Sequence, residues 1–116
     1  MNQDLSVAET LERAADILET RGWTQGAYQT SEGFCSLGAL RAVASTYPLL
    51  KGATVALADS LNLEPQECGC GAVGCYRASK YNDIAEWNDH PERTAAEVID
   101  AFKMTAKELR NKAVAA

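Results

Sequence analysis

Three of the four cysteines fall within eight residues, in the segment Glu67-Cys68-Gly69-Cys70-Gly71-Ala72-Val73-Gly74-Cys75. The intervening glycines free the backbone to turn the thiols toward one point. Thiolates gathered in this way could ligate zinc, whose structural sites are tetrahedral and usually take four ligands. Cys68, Cys70 and Cys75 supply three, and Cys35, His90 or a carboxylate such as Glu67 would be the fourth. The spacing of one residue and then four is looser than paired Cys-x-x-Cys knuckles. A plain glycine loop with free thiols, or a redox or disulfide pair, therefore stands beside zinc as a reading of the same residues.

Cys35 poses a different question. A thiol near a helix start gains thiolate character from the helix dipole and could act as a nucleophile. Gln25 could then serve as an oxyanion donor, and His90 with Asn88 or Asp89 as base and orienter, the constellation of a cysteine hydrolase. Against this, free cysteine is among the most buried residue types, and Phe34, Leu37, Gly38 and Leu40 around it have the character of a core. The expectation is a buried, inert Cys35.

Trp23, Trp87, Asn88 and Asp89 could line and furnish a binding pocket. Their simpler roles are structural: two tryptophans in a small core, and an Asn-Asp turn that caps the amides of the next helix. His90, between Asp89 and Pro91, has the setting of a solvated turn residue. Lys103, Lys107 and Arg110 share a helix face, suited to an acidic partner groove or simply to the solvated end of a helix. There is no phosphate-binding glycine motif, no His-Glu-x-x-His and no Gly-x-Ser-x-Gly.

Helices must position these groups. Ser6-Val7-Ala8-Glu9 fits a capping box, and Leu5, Ala8, Leu11, Ala14, Ala15 and Leu18 recur at helical spacing until Gly22 supplies a left-handed stop. Trp23 then folds back as an apolar anchor. Residues Thr24 to Phe34, with Gly26 and Gly33, suit a short hairpin or loop. A second helix is predicted from Cys35 to Thr46, with Leu37, Leu40, Val43, Ala44 and Tyr47 facing inward, and Pro48 ends or restarts it. A third is predicted over Ala53 to Leu61, before a cysteine loop from Asn62 to Arg77. A short helix then carries Tyr81, Ile84, Ala85 and Trp87, and Asn88-Asp89-His90-Pro91 breaks it. The last helix starts at the capping box Thr94-Ala95-Ala96-Glu97 and runs to Lys112 through Val98, Ile99, Phe102, Ala106 and Leu109. The fold class is all-α: one small domain over residues 1–116, four or five helices, a short hairpin or loop and one cysteine-rich loop.

With 116 residues, 47% hydrophobic and 23% charged, the chain can form one core and is not a disordered or fibrous sequence. No run approaches the roughly 20 apolar residues of a membrane span, and Met1-Asn2-Gln3-Asp4 lacks the features of a signal peptide. The reading is cytoplasmic, where thiols stay reduced. A net charge of −5 argues against nucleic acid or anionic membrane as partner. Charge is uneven, with Asp4, Glu9, Glu12, Asp16 and Glu19 on the first helix and Lys103, Lys107, Arg110 and Lys112 on the last.

Gly22-Trp23-Thr24-Gln25-Gly26, Cys35-Ser36-Leu37-Gly38-Ala39-Leu40 and Trp87-Asn88-Asp89 with Pro91 and Thr94 together resemble an uncharacterised family of short proteins found in actinobacteria and their phages. The resemblance runs from the first helix to the last. It implies a shared fold and a phage or accessory context, and it transfers no catalytic residue. The Cys68 to Cys75 loop is not part of the pattern. The leading expectation is a small, non-enzymatic, cytoplasmic interaction protein, a phage accessory protein that binds a host or phage protein. A cysteine hydrolase using Cys35 and a small zinc-stabilised module are the alternatives.

Overall fold

The computed structural model describes residues 3–27, 29–63 and 80–115. The cysteine loop, with Cys68, Cys70 and Cys75, lies outside the described residues, as does Tyr28. Among the described residues the chain forms five helices and one small hairpin, so the all-α expectation holds.

α1 (Gln3–Arg21) starts three residues earlier than its apparent capping box. Ser6 lies inside the helix, where its carbonyl accepts from Thr10 Oγ1 at 2.9 Å, so the Ser-x-x-Glu pattern is here an intrahelical sequence and not a start signal. The predicted apolar stripe is real: Val7, Ala8, Leu11, Ala14, Ala15 and Leu18 are all buried. Gly22 ends the helix at φ +96°, a conformation costly for any residue with a Cβ. A side chain there would also collide with the carbonyl of Glu32.

The close approach at Gly22 has a purpose in the fold. β1 (Gln29–Thr30) and β2 (Gly33–Phe34) pair antiparallel, and the Gly22–Thr24 segment adds itself along Phe34. Phe34 N–H donates to the Gly22 carbonyl at 3.0 Å, and Thr24 N–H to the Phe34 carbonyl at 2.9 Å. Trp23 and Thr24 are thereby fixed against the chain that leads into the next helix.

α2 (Ser36–Val43) is shorter than the predicted Cys35–Thr46. Ala44 is extended and closes it. α3 (Tyr47–Ser60) begins six residues earlier than predicted, because Pro48 occupies its first turn, where a missing N–H costs nothing. Thr46 is the cap, its hydroxyl accepting from Leu49 N–H at 3.3 Å. Tyr47 therefore belongs to α3 and not to the inner face of α2; it is 66% exposed, contrary to the expectation. α3 ends in a left-handed Asn62, with Leu63 N–H returning to the Ala58 carbonyl at 3.0 Å.

α4 (Lys80–Asn88) and α5 (Ala95–Ala115) complete the set. Thr94 caps α5 as predicted, its hydroxyl accepting from Glu97 N–H at 3.2 Å. α1 and α5 pack antiparallel: Glu12 pairs with Arg110, and Glu19 with Lys103. The acidic first helix and the basic last helix are thus each other's partners. Between them Leu11 and Leu18 meet Val98, Phe102 and Ala106 in one core that also takes in Leu40, Leu57 and Ile84. Alanines at 8, 14, 15, 53, 58 and 106 are fully buried, which lets the helix axes come close. Burying each large side chain stabilises the fold by roughly 1.5–3 kcal/mol.

Candidate functional site

Every helix end leaves backbone groups without an intrahelical partner. α2 is a hard case, because its start is fully buried and its cap residue is Cys35, a weak acceptor. The Cys35 thiol takes the Gly38 N–H at 3.3 Å. The Ser36 N–H remains, with Ser36 completely buried. It is satisfied from fifty-two residues away, by Asn88 Oδ1 at 2.9 Å.

Asn88 is the last residue of α4 and only 1% exposed. Its Oδ1 also accepts from Ser36 Oγ at 2.7 Å and from Trp23 Nε1 at 2.8 Å. Its Nδ2 donates to the Thr24 carbonyl at 3.1 Å and to Asp89 Oδ1 at 3.0 Å. Three donors on one side and two acceptors on the other define which way the amide points. Asp89 Oδ1 in turn accepts the Gly26 N–H at 2.9 Å.

The orphan carbonyls at the end of α4 are handled by side chains as well. Gln25 Nε2 donates to the carbonyls of Asn88 at 3.0 Å and His90 at 2.8 Å. Arg93 Nε donates to the Trp87 carbonyl at 3.0 Å, its guanidinium lies 4.4 Å from the centre of the Trp87 ring, and its Nη1 reaches Glu97 at 2.9 Å. One polar network therefore closes the start of α2, the end of α4 and the entry to α5.

Of the sequence-predicted site residues, Trp23, Asn88 and Asp89 come together in this network. Trp87 does not join them: it sits half-buried under Arg93. Asn88 caps α2 and not the following helix, and it is buried where a turn residue would be solvated. Beside the network lies a cavity of about 220 Å³ lined by Gly26, Ala27, Cys35, Leu37, Ala85, Asn88 and Asp89. Neither tryptophan contributes to that lining. Ser36, Thr24 and Arg93 join the network without a sequence signal that marks them as site residues, although Thr24 and Ser36 stand inside the recurring motifs.

The groups that a cysteine hydrolase would need are committed elsewhere. Gln25 has its amide on two carbonyls. His90 Nδ1 accepts the Glu92 N–H at 3.2 Å, and among the described residues no hydrogen bond joins His90 to Cys35. Burial pushes the Cys35 thiol above its ordinary pKa, and the Asp89 carboxylate pushes the same way, while the amides of Gly38 and Leu37 pull against them. The expected burial of Cys35 is met, at 7% exposure. Among the described residues no three His, Cys, Asp or Glu side chains are grouped to hold a metal ion. No helix of the described residues is long and apolar enough to cross a membrane.

A second concavity is larger and apart from the network. It is an open groove of about 640 Å³ between α3 and α5, with Val55, Ala56 and Leu109 at its base and Lys51, Asp59, Glu108 and Lys112 on its rim.

Fold and network define a small helical protein whose helix ends are tied by one buried asparagine. The chain belongs to a family of unknown function, DUF6197, whose sequence profile matches residues 2–108. No curated protein and no solved structure matches the chain.

Proposed function

We propose that this protein is a non-enzymatic interaction module, a cytoplasmic phage or accessory protein that binds a protein partner along the groove between α3 and α5. One observation carries the reading: the polar side chains best suited to chemistry are consumed in closing helix ends, whereas the α3–α5 groove is open and combines an apolar base with a charged rim. Such a groove is the geometry in which an amphipathic helix docks, its apolar face against the base and its polar edges against the rim. The exposed Tyr47 at the start of α3 adds an aromatic beside it.

A photocrosslinking residue placed at Val55 or Leu109, in cells producing the protein, tests this. A discrete protein adduct, identified by mass spectrometry and not formed from the exposed control position Arg13, is the expected result. Adducts that form equally from Arg13, or from neither groove position, would remove the groove as the binding surface.

A further inference from the structure

We infer that the occupant of the α3–α5 groove is a second copy of this chain, with the two α3 helices lying antiparallel across a two-fold axis at Val55. The inference rests on the groove reading above and specifies its partner. A two-fold interface must be self-complementary: if one residue meets a second across the axis, the second meets the first on the other side. Lys51, Val55 and Asp59 follow one another at four-residue steps on α3, and all three line the groove. Lys51 and Asp59 each stand four residues from Val55, about 6 Å along the helix. Antiparallel pairing about Val55 therefore sets each Lys51 against the other copy's Asp59, twice per interface, with Val55 against Val55 between them.

The opposite wall has the same balance: Glu108 and Lys112 are one turn apart on α5. A uniformly acidic or basic partner would meet like charge on either wall, whereas a second copy brings both signs in the right order. Val55 is half-buried without belonging to the hydrophobic cluster of the core. Its methyls are the apolar surface that the pairing would cover. Two chains of net charge −5 repel at a distance, so the association should be reversible and stronger once salt screens that repulsion.

Sedimentation velocity across a concentration series, from micromolar to millimolar, is the test. The wild type should shift from monomer toward dimer. Lys51→Glu and Asp59→Lys should each weaken the dimer by about tenfold, since either change turns two attractions into repulsions. The double variant, with the charges exchanged, should return to within about threefold of wild type. Only self-pairing predicts that rescue, because a different partner would keep its own charges. Circular dichroism on each variant checks that these exposed substitutions leave the helices intact. A wild type that stays monomeric throughout, or a double variant no better than the singles, overturns the inference. Should Val55 then still crosslink to a different protein, the groove would stand as a binding surface and only its self-pairing would fall.

Discussion

Replacing Asn88 with alanine should be among the most damaging single changes outside the apolar core. The substitution removes the only acceptor in the described network for the Ser36 N–H, at a helix start that is completely buried. A buried donor left without a partner costs about 1–3 kcal/mol. The half-buried Trp23 indole N–H loses its acceptor too, for roughly 0.5–1 kcal/mol, and the Thr24 carbonyl loses its donor, for about 1 kcal/mol more. The total is about 3–5 kcal/mol, against a whole-domain stability of roughly 5–15 kcal/mol.

Urea unfolding followed by tryptophan fluorescence measures it, with an unchanged slope showing that only stability has moved. Two controls separate the capping role from mere polarity. Ser36→Ala deletes the hydroxyl but keeps the amide bond to Asn88, and should cost no more than about 1 kcal/mol. Trp23→Phe removes one of three donors and leaves Asn88 Oδ1 satisfied, so its cost through this bond should be similarly small. An Asn88→Ala protein within about 1 kcal/mol of wild type would refute the assignment of Asn88 as the cap of α2.

Other outcomes follow from the same contacts. Phe102→Ala should cost roughly 3–5 kcal/mol, since Phe102 is fully buried between α5 and α1; chemical denaturation decides it. Hydrogen bonding to Arg110 lowers the Glu12 pKa, so the stability this pair adds is fully present above the ordinary carboxylate value near 4.3 and is lost as pH falls through the lower folded value. Wild type and Glu12→Gln should accordingly converge in stability on acidification, and a gap that widened would contradict the pairing. Cys35, its thiol raised by burial, should alkylate slowly in the native state, with the rate rising only above the ordinary thiol pKa near 8.5; fast labelling at neutral pH, resolved peptide by peptide, would return the cysteine-enzyme reading. If Cys68, Cys70 and Cys75 hold zinc, elemental analysis of protein purified without chelator under reducing conditions should find one equivalent, lost on replacing any of the three thiols.

What the sequence makes legible divides along a physical line. α1 and α5 are legible because a half-buried helix writes its burial into a repeat of three and four residues, and Leu11, Leu18, Val98 and Phe102 keep that repeat. Local chemistry is less reliable where one pattern has two uses. Ser6-Val7-Ala8-Glu9 has the composition of a helix start yet lies within α1, and Pro48 suggests a break where it opens α3. The charges of α1 and α5 read as two separate faces, and their pairing becomes visible only with the antiparallel packing that sets Glu12 beside Arg110.

Asn88 reads as a turn residue because Asn-Asp shortly before a proline usually is one, and its bond to Ser36 spans a separation that no periodicity reports. The sequence nevertheless holds a clue. α2 begins on Cys35-Ser36-Leu37-Gly38, with a weak sulfur acceptor at the cap and no carboxylate in the first turn. A buried helix start so poorly capped by its own residues needs an acceptor from elsewhere, and that shortfall of hydrogen bonds can be counted from the residue types alone. The motifs around Trp23, Cys35 and Asn88 share one cause: the first fixes the chain leading into α2, the second leaves its amide open, and the third closes it.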